Sequence, residues 1–198
     1  PTTPEESFEG AGDKLFDLEK LGQQKIAKAI KEYGNVKIFK EYRVGHLYAI
    51  GTDVAEGIGR DSSTIIVWDF TPVKPEIVAE YANNAIAPDL LAFEVKNMAE
   101  KYELPLVAVE RNNHGHTTIS KLREIYPERH IYKDDKDRYG WQTNLVSKPK
   151  MMFDLSTVIN DELVDINSHR VISEMRRYDK EELRTLKASE ETTQHWDL

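Results

Sequence analysis

The 198-residue chain contains no cysteine, which removes disulfides, thiolate nucleophiles and Cys-based zinc sites. A bound metal therefore falls to carboxylates or to the six histidines, and oxygen ligands favour Mg²⁺ or Mn²⁺. Long apolar runs are missing too: none approaches the roughly 18 residues of a membrane span. The start, Pro1-Thr2-Thr3-Pro4-Glu5-Glu6, has neither the basic nor the apolar region of a signal peptide. No membrane partner is expected, and the reading is intracellular. A Gly-x-x-x-x-Gly-Lys-[Ser/Thr] phosphate loop does not occur either, which excludes a P-loop nucleotide motor within this sequence.

Net positive charge is also lacking, since the formal charge is −8, but the deficit sits at the ends. Residues 1–19 carry −5 and residues 179–198 carry −3, leaving 20–178 neutral. Within that neutral middle, 121–150 gathers Lys121, Arg123, Arg129, Lys133, Lys136, Arg138, Trp141, Lys148 and Lys150. Such a stripe can follow a phosphate backbone, although Asp134, Asp135 and Asp137 dilute it. The overall make-up, 39% hydrophobic and 31% charged, is ordinary for one sizeable globular domain.

Residues 1–12, rich in acids and bearing two prolines and two glycines, read as a linker. From Asp13, Leu15, Leu18, Ile26, Ala29, Ile30 and Tyr33 recur at near-helical spacing, with Gly34-Asn35 as a stop. Strands are expected at Val36–Tyr42, Leu47–Asp53, Thr64–Phe70 and Glu76–Ala82, joined as an antiparallel meander. A helix from Pro88 follows, with Leu91, Val95, Met98, Ala99 and Tyr102 as its apolar stripe. Pro105 ends it, and the short apolar strand Leu106-Val107-Ala108-Val109 follows. Helices are expected at about Thr117–Tyr126, Lys148–Asn160 and His169–Tyr178, and a short strand near His130–Tyr132. A meander followed by alternating helices and strands predicts an α/β fold with one mixed sheet.

Two of these strands end in an acid. Tyr48-Ala49-Ile50-Gly51-Thr52 delivers Asp53 into a Gly-bearing loop, and the Leu106–Val109 run delivers Glu110. Carboxylates held on rigid strand ends, without cysteine, fit two-metal phosphoryl chemistry. The third acid is expected late in the chain, at Asp197 in Gln194-His195-Trp196-Asp197, because an exposed terminal tract does not otherwise call for Trp196 and His195 beside an acid. His114 and His116 are candidates for proton transfer or phosphate contact, and Glu56 and Asp61 for outer metal support.

Several segments, in order, resemble the C-terminal nuclease domain of the large terminase subunit of tailed bacteriophages. They are Pro1–Phe8, Gly45–Asp53 with the Gly57-Ile58-Gly59-Arg60-Asp61-Ser62-Ser63 loop, Val109-Glu110-Arg111-Asn112-Asn113-His114-Gly115, and Gly140-Trp141-Gln142-Thr143-Asn144 with Lys148-Pro149-Lys150. The resemblance implies a ribonuclease H-like mixed sheet flanked by helices over 13–198, with 1–12 as the linker from an absent upstream ATPase domain. It implies a Mg/Mn-dependent endonuclease that cleaves double-stranded concatemeric DNA with two Mg²⁺ or Mn²⁺ ions on Asp53, Glu110 and Asp197. Contacts to DNA are expected at Lys121, Lys148 and Lys150. The implied partners are double-stranded DNA, the upstream ATPase domain of the same polypeptide, the portal and the small terminase subunit, in the cytoplasm of the bacterial host. One departure is that His195-Trp196-Asp197 stands where the family commonly has His-Asp-Asp. Competing readings are a non-catalytic DNA or portal docking module, a cellular ribonuclease H-like resolvase, and an actin-like phosphotransferase, for which a second Gly-rich loop and a second lobe are not found.

Overall fold

The computed structural model describes residues 13–57, 59, 61–111 and 114–181. The expected linker 1–12 and Asp197 lie outside the described residues. In chain order the elements are α1 (Leu18–Gln23), β1 (Lys31–Tyr33), β2 (Val36–Ile38), β3 (Tyr48–Asp53), β4 (Ser63–Asp69), β5 (Glu76–Asn83), α2 (Pro88–Lys101), β6 (Leu106–Val109), α3 (Gly115–Ile125), a 3₁₀ turn (Glu128–His130), α4 (Ser147–Asn160) and α5 (His169–Arg177). The described residues divide into two compact units, one of residues 27–143 and one of 13–26 with 144–181.

The unit 27–143 is built on a mixed sheet of six strands in the order β1-β2-β5-β4-β3-β6. Side-chain alternation decides its faces. In β4, Ser63, Ile65, Val67 and Asp69 are buried while Thr64, Ile66 and Trp68 are half-buried. Ile50 of β3 and Val107 and Val109 of β6 join Ile65 and Val67 in one core with Leu91, Ala92, Val95, Met98 and Ala99 of α2 and Ile119 and Leu122 of α3. That is the apolar stripe expected of α2, and Pro88 opens the helix where its missing N–H costs nothing. Each fully buried aliphatic side chain contributes about 1.5–3 kcal/mol to holding the helices on this face.

β3, β4 and β5 form the expected antiparallel meander. β2, however, pairs with β5 rather than with β3, and β6 lies parallel to β3. The expected helix from Asp13 to Tyr33 is mostly not one. Only α1 forms, capped by the Asp17 carboxylate, which accepts from the backbone N–H of Glu19 (2.8 Å) and Lys20 (3.1 Å). Ile26, Ile30 and Tyr33 are exposed, so the second half of the apparent stripe faces no core. Gly34-Asn35 is a two-residue hairpin turn pairing Tyr33 with Val36, and the φ of +55° at Gly34 suits it to the first turn position. The strand expected near His130–Tyr132 reduces to a single parallel bridge between Ile131 and Val107.

In the other unit, Leu15, Phe16, Leu21, Ile159, Ile166, Ile172 and Met175 are buried. Its two chain segments are stitched by polar contacts. Leu15 N–H donates to the Tyr178 carbonyl (3.1 Å), Ser156 Oγ donates to the Leu15 carbonyl (2.9 Å), and the Gln24 amide bonds the backbone of both Val164 and Ile166. The helices expected at Lys148–Asn160 and His169–Tyr178 form as α4 and α5, the latter capped by Ser168 Oγ, which accepts from the Val171 N–H. No helix among the described residues is long and apolar enough to cross a membrane.

Candidate metal centre

Asp53 ends β3, and Glu110 follows the last residue of β6. In the parallel pairing of these strands Thr52 stands opposite Val109, and the Glu110 N–H donates to the Thr52 carbonyl (2.8 Å). The two carboxylates therefore occupy neighbouring positions at one edge of the sheet. Alternation turns Thr52 and Val109 into the core and sends their successors to the opposite face, where Asp53 is exposed and Glu110 half-buried. Gly51 shares that face, and a Cβ there would meet no heavy atom within 4 Å, so the floor beside Asp53 is open. An all-oxygen donor pair with open space beside it fits a hard divalent cation. Among the described residues no group of three or more potential ligands converges, so these two acids do not by themselves make up a ligand set.

Local devices hold the two acids. At Gly115, the first residue of α3, a Cβ would fall 1.7 Å from the Glu110 carbonyl oxygen. Only glycine lets the helix approach so closely. After Asp53, the Ala55 N–H donates to Ser63 Oγ (3.0 Å). Further on, Gly57 has φ +74° and the space of its absent Cβ is filled by the Ile86 carbonyl, and Gly59 N–H donates to the Asn84 carbonyl (2.8 Å). The loop is thus fastened to the segment after β5. Glu56 meets His114 at 3.4 Å; the pair is largely solvated and worth at most about 1 kcal/mol. Asp61 and His116 are exposed.

A third strand-like segment flanks Glu110. Trp141 bridges it in parallel, with Trp141 N–H donating to the Val109 carbonyl and Arg111 N–H to the Trp141 carbonyl, both 2.8 Å. The Arg111 side chain is buried and donates to the Gly140 carbonyl (3.1 Å), Gln142 Oε1 (2.7 Å) and Asp134 Oδ2 (2.9 Å). Hydrogen bonds from the Arg138 side chain, and with them those from the Arg138 backbone and from Arg111, hold the Asp134 carboxyl well below the usual carboxylate range. Nothing in the residue pattern singled out Arg111 as a structural clamp; its position directly after Glu110 was the one available signal.

The expected DNA-contacting lysines fall on two helices. Lys121 on α3 pairs with Glu124 (2.7 Å) and lies over the Phe93 ring. Lys148 and Lys150 occupy the first turn of α4, where Lys150 pairs with Asp154 (2.7 Å). Much of the basic stripe is internally neutralised, for Arg123 meets Glu128, Lys133 meets Asp137 and Arg138 meets Asp134.

No protein-family model and no curated protein sequence matches the chain. Among solved structures it is similar to the large terminase nuclease of thermophilic phage G20c with bound cobalt, at TM-score 0.68 and 17% identity over 84% of this chain and 81% of that one. The same G20c nuclease has also been solved with magnesium and with zinc. The Thermus phage P74-26 large terminase nuclease domain aligns at TM-score 0.63 and 16% identity, over 83% of this chain and 77% of that one. The large terminase of thermophilic bacteriophage D6E aligns at TM-score 0.56 and 13% identity, over 87% of this chain but 39% of that one. The fold is the ribonuclease H-like fold of phage large-terminase nuclease domains.

Proposed function

We propose that this chain is the nuclease domain of a viral DNA-packaging large terminase, a Mg²⁺- or Mn²⁺-dependent endonuclease that hydrolyses phosphodiester bonds of concatemeric double-stranded DNA. The observation that carries the reading is the pairing of Asp53 with Glu110 at adjacent strand ends, in a fold shared with nucleases solved with bound magnesium, cobalt and zinc. Asp53, Glu110 and Asp197 are the residues that would hold two ions. Divalent ions so held supply water activation and stabilisation of the leaving oxygen in an in-line displacement. The chain's own part is to fix its carboxylates in place, through the β3 and β6 backbone and through α3 seated on Glu110. Lys121, Lys148 and Lys150 would contact backbone phosphates.

The remaining partners belong to the same reading. They are an ATPase domain upstream in the polypeptide (1–12 being the connector), the portal and the small terminase subunit, in the cytoplasm of a bacterial host. The test is cleavage of supercoiled plasmid with Mg²⁺, with Mn²⁺ and with EDTA. Asp53→Asn keeps the side-chain shape and removes the charge, and should cut cleavage at least ~100-fold with the fold intact, since loss even of outer metal support costs about 10–100-fold. Parental cleavage by Asp53→Asn, or cleavage that EDTA does not stop, would remove the proposed centre. DNA binding without metal-dependent cleavage would favour a docking module instead.

A further inference from the structure

Trp141 extends a row that the two acids begin. Thr64, Asp53, Glu110 and Trp141 stand side by side on β4, β3, the end of β6 and the bridge beyond it. Side chains at opposed positions of neighbouring strands project from the same face. The indole therefore rises beside the Glu110 carboxylate, on the face that carries Asp53. It is 37% exposed, and the Tyr132 ring backs it at 6.1 Å.

This exposed indole is held with unusual care. The preceding Gly140 has φ +83°, and a Cβ there would strike Ile119 Cδ1 (2.5 Å) and the Val109 carbonyl (2.7 Å). The buried Arg111 guanidinium grips the residues on either side of Trp141, through the Gly140 carbonyl and Gln142 Oε1, and ties both to Asp134. Held this closely, the ring still keeps 37% of its surface in solvent, apolar area left free beside the two acids that a partner can cover. Charge does not explain the segment, because Lys133, Lys136 and Arg138 are matched by Asp134, Asp135 and Asp137.

We propose that Trp141 is a positioning residue for DNA, packing its ring against a base or deoxyribose of the strand whose phosphodiester lies at Asp53 and Glu110. The inference rests on the nuclease reading for its substrate but not for its readout, which is binding. The contact is one of ring against ring or sugar, tolerant of sequence, and because it neutralises no phosphate it adds nothing to the salt dependence of binding. Arg111 acts through Trp141, fixing where the ring stands.

The experiment is fluorescence anisotropy of a labelled 30-base-pair duplex, titrated with protein in Mg²⁺ in the Asp53→Asn background, so that binding is read apart from cutting. Trp141→Ala should weaken binding on the order of tenfold, the effect of losing one base–aromatic contact. Trp141→Phe should recover most of that loss. The slope of log Kd against log salt should be the same in all three proteins, since no phosphate contact is removed. Trp141→Ala binding within about twofold of its parent overturns the proposal, as does Trp141→Phe binding as poorly as Trp141→Ala or a slope that falls with the substitution. Plasmid cleavage by the protein with Asp53 intact reports on the nuclease reading separately. Its absence with the Trp141 effect present removes the enzyme and leaves the DNA contact.

Discussion

Arg111 puts a guanidinium in the interior one position after a proposed metal ligand, which is stable only where its donors find acceptors. Asp134 is the charged one, and it also takes hydrogen bonds from the Arg138 side chain and from the backbone of Lys136 and Arg138. Its folded-state pKa is thereby depressed below the ordinary value of a carboxyl group. A depressed pKa contributes stability that is fully present above the unfolded-state pKa and is lost as pH falls through the folded one. Asp134→Asn should accordingly lower the midpoint of thermal unfolding by a constant amount from pH 7 to about 5, and the gap should close as pH falls below about 4. A gap that does not change with pH would show that this carboxylate does not hold the clamp. None of this was legible in the sequence, where Asp134 counts only as an acid diluting a basic stripe. Its link to Arg111, 23 positions away, exists only because the segment after Ile131 turns back on itself. The placement of Asp53 and Glu110 at adjoining strand ends was legible for the opposite reason: each ends a short apolar strand, a local pattern.

Glycines seat the elements around those two acids. Gly115 lets α3 begin against the Glu110 carbonyl, whereas Gly51 merely leaves the face beside Asp53 open. Gly115→Ala forces helix and strand end apart and should cost about 3 kcal/mol, the upper range for overpacking. Because the displaced atom belongs to Glu110, it should also weaken Mn²⁺ binding. Gly51→Ala meets nothing and should change stability by no more than about 0.5 kcal/mol. Chemical unfolding of the two variants checks the contrast, and equal stabilities would mean that α3 is not seated on Glu110. The elements read well from sequence are those whose periodicity meets a core, such as α2 with Leu91, Val95 and Met98 all buried. The stretch from Ile26 to Tyr33 has near-helical spacing too, but exposed side chains gain nothing from a shared stripe. There the Gly34-Asn35 turn and pairing with β2 decide the structure.

For the whole molecule, the net charge of −8 argues against a DNA partner only if it is averaged over the chain, and its concentration at the two ends leaves the middle neutral. The acidic C-terminal stretch bears on the metal centre proposed above. Two divalent ions on two carboxylates leave a strongly positive centre, and among the described residues no third ligand joins Asp53 and Glu110. In the proposed centre the balance would come from the DNA phosphate and from an acid outside those residues, and Asp197, beside His195 and Trp196, is the candidate. In a calorimetric titration with Mn²⁺ the parent should show two binding events, and Asp197→Ala one, the site on Asp53 and Glu110. Asp61→Ala and Asp165→Ala, the latter an acid late in the chain between α4 and α5, serve as controls and should keep both. Plasmid cleavage by Asp197→Ala should fall with the lost ion, because one ion cannot act on both the attacking and the leaving oxygen. An Asp197→Ala protein that takes up Mn²⁺ and cuts like its parent would place the third ligand elsewhere, and loss of an event in Asp61→Ala or Asp165→Ala would say which acid it is.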